Sequence, residues 1–390
     1  MKYELRPYQS EASDSAINFF KGKSKINAAI MVLPTGSGKS LIIADIASRL
    51  DGHLLIFQPS KEILEQNFDK LQSYGVLDCS IFSASFNSKK INRITFAMIG
   101  SVKNKPHFFS HFKYVIIDEC HLVNSTNRNS MYNDFLGNLD CKIIGLTATP
   151  YRLSTDGFGG SMLKFITRTR PKIFSEMIYH VQIKELSDEG FLSKMEYYPV
   201  NIVNTKQLKI NTTGADFTDR SVQIHYKEIG FNKKLIEVIT RLLKVDRPNI
   251  LVFTRFVEEA KELADHFGDI AAMVSGESNK SERERVLNGF KSGKIRVVAN
   301  VGILTTGFDF PELSTIVLGR PTMSLALYYQ MVGRAIRPHK SKESGWIVDL
   351  CGTYKRFGRV EELEIRLEKP DSTLWAIYSG NKQLTNIYYE

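Results

Sequence analysis

Three short stretches of this chain hold residue types and spacings that could do chemistry. The first is "LPTGSGKS", residues 33–40. Its glycines, Gly36 and Gly38, let a backbone wrap closely around phosphate oxygens. The amides of Thr35, Gly36, Ser37 and Gly38, the start of a following helix and the Lys39 ammonium would neutralise the charge. The Ser40 hydroxyl would hold Mg2+. Leu33 stands where the strict pattern has glycine, and a plain Gly/Ser turn is the ordinary alternative. The apolar run before the loop and the helical pattern after it favour nucleotide binding. The second stretch is "VIIDECH", residues 115–121, where an apolar strand ends in two acids. Asp118 could hold Mg2+, and Glu119 could orient or deprotonate an attacking water. His121 could equally be a surface histidine closing the strand. The third is "YYQMVGRAIRP", residues 328–338, in which Arg334 and Arg337 are three apart. On a helix that spacing puts both guanidinium groups on one face. A solvated basic face is the bland reading of such a pair; an anion brought from elsewhere is the sharper one.

These residues need elements to position them. "INAAIMVLP", "HLLIFQP", "YVIIDE" and "CKIIGLTATP" read as buried parallel strands, with helical periodicity in "SLIIADIASRL" and "KEILEQNFDKLQSY" between them. The pattern is α/β and doubly wound. After Pro150 it breaks into a Gly-rich loop, "STDGFGGS", and an irregular polar stretch. It then resumes with strands "NILVFTR", "IRVVANV", "STIVLGR" and "GWIVDL" and helices "VEEAKELADHF" and "SERERVLNGFKSG". The expected organisation is an α/β domain over 1–150, a connector over 151–230, a second α/β domain over 231–352 and a short tail over 353–390.

The bulk properties agree. A chain of 390 residues with 43% hydrophobic content is long enough for two packed cores. The net charge of +10 favours a polyanionic partner such as nucleic acid. The four cysteines, Cys79, Cys120, Cys141 and Cys351, show no metal-ligand or disulfide spacing, which fits a reducing, cytoplasmic compartment. No signal peptide or membrane span is expected.

The order "PTGSGKS", "DECH", "TATP", "QMVGRAIRP" resembles superfamily 2 helicases of the DEAD/DEAH-like type. "GLTATPYR", "DEGFLS" and "LTTGFDFP" resemble the branch that holds restriction-enzyme motor subunits, phage recombination helicases and eukaryotic repair helicases. The resemblance runs from about residue 5 to 352. It implies two tandem RecA-like domains, each a parallel sheet flanked by helices, with ATP in the cleft between them and Mg2+ as cofactor. "LRPYQSEA" is similar to the family's adenine-reading segment, which implicates Arg6 and Gln9. Gly307 and Asp309 resemble residues that touch the nucleotide. Gln330 and His121 resemble residues that bond across the closing cleft, and Arg334 and Arg337 resemble arginine fingers. "QPSKEILEQN", "FAMIGSV", "VFTRFVEEA" and "NVGILTTGFDFP" resemble nucleic-acid motifs and implicate Pro59, Ser60, Ser101, Thr254, Arg255 and Thr305. Each serine or threonine among them could instead cap a helix. In "FAMIGSV", Met98 stands where the family often has threonine, which leaves Ser101 as the contact.

The activity these features imply is ATP-dependent translocation or unwinding of duplex or branched DNA. RNA is not excluded as the track. A motor subunit of a restriction complex and an ATP-gated binding scaffold are the other readings. The short span between Pro311 and Gln330 leaves little room for a strand-separating hairpin and favours translocation.

Overall fold

The structure is a computed structural model and describes residues 4–388 apart from 24, 124–129, 156–160, 213 and 305–309. The chain divides into two compact units. Unit 1 comprises Met1–Arg152, Lys164–Gln182 and Ile365–Ala376; unit 2 comprises Leu153–Leu163, Ile183–Glu364 and Ile377–Glu390.

Unit 1 is built on one large sheet. Its strands are β1 (Ala28–Val32), β2 (Leu54–Phe57), β3 (Cys79–Ser83), β4 (Ser88–Lys89), β5 (Ile94–Ala97), β6 (Tyr114–Ile117) and β7 (Lys142–Thr147). β8 (Tyr151–Thr155) and β9 (Ser161–Phe165) pair as a separate ribbon, and β10 (Glu176–His180) returns to the large sheet. The strand order is β10-β1-β7-β6-β2-β5-β3-β4, parallel except for the β3–β4 hairpin. The central strands are almost wholly apolar, as expected where helices cover both faces: β1, β2 and β5 are buried at every position, Thr95 being their one polar residue. The helices are α1 (Pro7–Lys21), α2 (Lys39–Arg49), α3 (Lys61–Ser73), α4 (Ile99–Val102) and α5 (Met131–Leu136). In a parallel sheet of this kind the carboxyl ends of neighbouring strands share one edge, and ligands bind there. β1, β7 and β6 are consecutive neighbours, so the segments leaving them meet at that edge.

Unit 2 holds an all-parallel sheet of β11 (Lys194–Pro199), β12 (Ile250–Phe253), β13 (Ala271–Ser275), β14 (Val297–Val301), β15 (Thr315–Leu318) and β16 (Ser344–Asp349), in the order β11-β16-β15-β12-β14-β13. Its helices are α6 (Ile183–Asp188), α7 (Asp219–Ile229), α8 (Phe231–Lys244), α9 (Val257–Phe267), α10 (Lys280–Lys291), α11 (Leu325–Val332) and α12 (Thr353–Phe357). Val222, Tyr226, Phe231, Leu235 and Ile239 from α7 and α8 pack onto Ile250, Val252 and Val317 of the sheet. β17 (Leu363–Leu367), β18 (Trp375–Ser379) and β19 (Lys382–Gln383) form a small third sheet.

Two expectations are revised here. The stretch 151–230 is not a separate connector: it supplies β10 to the first sheet, β11 to the second and α7 to the core of unit 2. The segment after 352 is structured, forming α12 and the third sheet. No helix among the described residues is long and apolar enough to cross a membrane.

Candidate active site

The phosphate loop leaves β1 and enters α2. Gly36 and Gly38 have φ of +86° and +80°, the left-handed region that glycine occupies without strain. At Gly38 a side chain is also excluded by space, since a Cβ there would stand 2.5 Å from Gln9 Nε2. The loop is therefore braced from α1. Gln9 Nε2 and the Tyr8 hydroxyl each donate to the Ser37 carbonyl at 2.8 Å. The Arg6 amide donates to Gln9 Oε1 at 3.0 Å, which fixes the glutamine amide in turn. The sequence implicates Gln9 as an adenine-reading residue; what the structure shows is its bracing of the loop, a task shared by Tyr8, which the sequence reading passed over.

Lys39 and Ser40 open α2. The Lys39 ammonium donates to the Leu33 carbonyl at 3.4 Å and lies 4.0 Å from Glu119 Oε1. The loop lysine and the second acid of "DECH" thus face one another across the carboxyl edge of the sheet, as their spacing in the sequence could not show.

The acids are placed by a tight turn after β6. The Asp118 amide donates to the Phe57 carbonyl of β2, continuing the ladder. Glu119 then takes φ +48°, a left-handed conformation that is costly for a residue with a side chain. The turn is seated on β7 because Gly145 has no side chain. A Cβ at Gly145 would stand 2.7 Å from both Cβ and Sγ of Cys120. That close approach brings His121 Nδ1 to 3.0 Å from Thr147 Oγ1 and 3.2 Å from Glu119 Oε2. Thr147 Oγ1 also accepts from the Thr149 amide at 3.0 Å. His121 is buried, so the surface reading of this histidine is corrected: it links the acid turn to "TATP".

Asp118 is buried, and its carboxyl is raised well above the ordinary carboxylate range. Burial is the main cause, the neighbouring Glu119 charge adds to it, and Lys39 opposes it. Asn67 of α3 lies between the candidate metal ligands. Ser40 Oγ donates to Asn67 Oδ1 at 2.6 Å, and Asn67 Nδ2 reaches Asp118 Oδ2 at 3.4 Å. One amide therefore spans both oxygen donors, a hard donor set that fits Mg2+. Ser37 Oγ and Gln58 Nε2 are buried beside this region with no hydrogen-bond partner among the described residues. Orphaned polar atoms lining a phosphate loop fit a site built for a polar ligand.

The other nucleotide and nucleic-acid candidates divide. Ser60 Oγ accepts from the Ile63 amide at 3.3 Å and caps α3, with Pro59 before it. Ser101 Oγ accepts from the Ala84 amide at 3.1 Å. Thr254 is buried at 1% exposure, its hydroxyl directed to main-chain carbonyls of Phe256 and Asn300. The Arg255 side chain is 7% exposed and spent within unit 2: it pairs with Asp219 at 2.8 Å and Asp216 at 3.4 Å and donates to the Phe217 carbonyl. Both side chains thus hold unit 2 together in this structure. Thr305, Gly307 and Asp309 lie outside the described residues.

The arginine pair departs from its helical reading. α11 ends at Val332, and Gly333 caps it, so Arg334 and Arg337 stand in the turn that follows. Gln330 is on the last turn of the helix, and its carbonyl accepts from Arg334 Nε at 3.4 Å. The backbone of this turn is held by residues the sequence reading did not single out. Ser193 donates its amide to the Ile336 carbonyl at 2.7 Å and its hydroxyl to the Arg337 carbonyl at 2.8 Å. Lys342 donates to the Ala335 carbonyl at 2.8 Å. Burial lowers the Arg337 guanidinium from its usual range.

Residues 2–152 match the family described as "Type III restriction enzyme, res subunit", and residues 232–339 match "Helicase conserved C-terminal domain". The chain belongs to the superfamily 2 helicases. The putative ATP-dependent helicase IRC3 of Saccharomyces cerevisiae is 25% identical over 382 residues, covering 89% of this chain and 51% of that protein. The DNA 3'-5' translocase XPB2 of Sulfurisphaera tokodaii is 25% identical over 374 residues, covering 88% of this chain and 80% of that one. Among solved structures, the Type ISP restriction-modification enzyme LlaBIII bound to DNA superposes with a TM-score of 0.65 at 18% identity, over 90% of this chain and 28% of that one. That likeness is one of fold. The chain spans between 51% and 64% of the length of its phage and yeast relatives.

Proposed function

We propose that the protein is an ATP-dependent motor that moves along or remodels DNA. The observation that carries this reading is the convergence in unit 1 of the Lys39 ammonium on Glu119, 4.0 Å away, beside Ser40 and Asp118 joined through Asn67. A glycine-rich loop at a helix start, a lysine and two acids at one sheet edge suit phosphoryl transfer from a nucleoside triphosphate to water.

In this reading the amides of 36–40 and Lys39 hold the β- and γ-phosphates, while Arg6 and Gln9 face the base. Ser40 and Asp118 would hold Mg2+, which supplies charge neutralisation at the phosphates when bound. Glu119 orients the attacking water and takes its proton. Its carboxylate is held for this by His121, which is itself fixed to Thr147. Arg334 and Arg337 supply positive charge to the transferring phosphoryl group, Gln330 and His121 report closure on the nucleotide, and Gly307 and Asp309 touch the nucleotide and link it to the track. Pro59, Ser60, Ser101 and Thr305 form the track, where small hydroxyls and helix-start amides suit phosphate contacts without base reading. The net charge of +10 and the similarity to a DNA 3'-5' translocase support a DNA track, and recombination, repair or branch migration is the work proposed for it. The four cysteines are free and buried, which supports work in a reducing compartment.

The test is ATPase activity of wild type and Glu119→Gln against single-stranded, duplex, forked and four-way-junction DNA and RNA. The expected result is DNA-stimulated hydrolysis in wild type. In the variant, ATP binding should persist with hydrolysis lost. Stimulation by RNA alone would replace the DNA reading with an RNA helicase. Wild-type hydrolysis rates in Glu119→Gln would remove the assignment of the base.

A further inference from the structure

The segment "QPSKEILEQN" supplies Pro59 and Ser60 to the candidate track, but its last residue serves the other site. Asn67 meets three residues from three elements: Ser40 at the start of α2, Gln58 after β2 and Asp118 after β6. The directions of these bonds matter more than their number. The Ser40 hydroxyl has one hydrogen, and it goes to Asn67 Oδ1. Both lone pairs of Ser40 Oγ are then free to face a cation. The Asn67 NH2 group donates to Asp118 Oδ2 and, at 3.1 Å, to Gln58 Oε1. The second Asp118 oxygen accepts from the Glu119 amide at 2.9 Å. A flipped Asn67 amide would turn its oxygen toward the Asp118 carboxylate, so the surroundings select one orientation.

We infer that Asn67 is a positioning residue for the divalent cation, orienting Ser40 Oγ and Asp118 from outside the coordination sphere. The inference rests on the nucleotide-site reading above and deepens it. Groups that orient metal ligands in this way tune affinity without touching the metal. The placement of Asn67 adds a second role. α3 starts after its cap at Ser60, seven residues before Asn67. Seven residues are about two helical turns, so both ends of this stretch move as one rod. In the track proposed above, nucleic acid at the start of α3 is thereby connected to the metal ligands through a single helix.

Two variants test this. Asn67→Leu keeps the volume and removes all three bonds; Asn67→Ala removes them with less bulk, should the leucine disturb packing. Binding of a fluorescent ATP analogue is titrated with Mg2+ upward from EDTA, with and without duplex DNA. The expected result is a rise in half-saturating Mg2+ of about 10-fold or more in both variants, with binding in EDTA unchanged. Duplex DNA should shift half-saturating Mg2+ in wild type and leave the variants unshifted at equal DNA affinity. Unchanged Mg2+ dependence in the variants would overturn the inference. So would equal weakening with and without Mg2+, which marks a merely structural residue. A DNA-induced shift that persists in the variants, or is missing in wild type, would overturn the link through α3. Failure of wild type to bind the nucleotide, or binding indifferent to Mg2+, would instead remove the nucleotide-site reading beneath it.

Discussion

Replacing Gly145 by alanine should displace the acid turn while the sheet stays in place. The added Cβ would stand 2.7 Å from Cys120 Cβ and Sγ and 2.8 Å from Phe174 Cε1. Carbon atoms in contact prefer about 3.5–4.0 Å, so roughly 1 Å of relief is needed. Neither neighbour has free space, since Cys120 and Phe174 are each 1% exposed. Overpacking of this kind costs about 1–3 kcal/mol. At about 2–4 °C per kcal/mol for a unit of this size, the melting temperature of unit 1 should fall by roughly 2–12 °C. The movement has a direction. β7 is hydrogen-bonded to β1 on one side and β6 on the other, whereas Cys120 sits in a three-residue turn after the left-handed Glu119. The turn is the softer side and should yield. A shift near 1 Å would break the 3.0 Å contact of His121 with Thr147 and move Glu119 from Lys39. Misplacement of that size can cost about 10²-fold in rate. The assay is steady-state ATPase together with thermal unfolding. Gly276→Ala is the control: a Cβ there meets nothing within 4 Å, and its effect should stay within about 0.5 kcal/mol. Full activity and an unchanged melting temperature in Gly145→Ala would refute the argument that a bare backbone seats the turn. A lowered melting temperature with full ATPase would refute its direction.

The remaining predictions concern unit 2. Arg334→Ala and Arg337→Ala should lower kcat by about 10³–10⁵ with little change in ATP affinity, because the charge they meet develops in the transition state; normal basal ATPase in both variants would show that the pair is a solvated basic face. Arg255→Ala should destabilise unit 2 by about 1.5–3 kcal/mol, because it removes the charged bonds to Asp216 and Asp219 while Arg320 and the Met323 amide stay on Asp216; a stable variant with reduced DNA affinity would favour the nucleic-acid role for this side chain. Glu259, 5% exposed and accepting from the Phe256 amide, is raised by burial from 4.5 to about 7. The folded state thus holds this proton more tightly than the unfolded chain, so the Glu259 contribution is full below about pH 4.5 and lost as pH rises toward 7, a fall on the order of 3 kcal/mol. Glu259→Gln, measured by denaturant unfolding across that window, should flatten the fall; an identical slope in the variant would show that another group titrates.

What could be read in the sequence follows from burial. β1, β2, β12 and β15 are buried at every position, and they announce themselves as continuous apolar runs. β10 and β11 lie at the edges of their sheets. β10 is half-buried along its whole length, and β11 buries only Met195 fully. "EMIYH" and "KMEYYP" therefore mix polar and apolar residues without a period, and the region around them reads as a connector. The phosphate loop and the acid pair were legible for a different reason: their chemistry requires several residues within one turn of chain. Tyr8, Asn67 and Ser193 had no such mark. Each acts on a group 29, 27 and 144 residues away, respectively, and its type is unremarkable where it stands.

The arginine pair shows where local reasoning ends. Three-residue spacing implies a shared face only while the helix lasts, and α11 stops at Val332 with Gly333 after it and Pro338 ahead. Beyond that point no periodic rule relates Arg334 to Arg337. Their directions are set by what holds the backbone between them: Ser193 at the carbonyls of Ile336 and Arg337, and Lys342 at that of Ala335. Lys342 is half-buried, and its ammonium is lowered to about 8 by that burial and by the nearby Arg337 and Arg247 charges. A lysine held among arginines at that cost is kept by the carbonyls of Ala335 and Leu313 that it bonds. The sequence motif thus supplies the charge, while Ser193 and Lys342, outside the motif, hold the backbone that carries it.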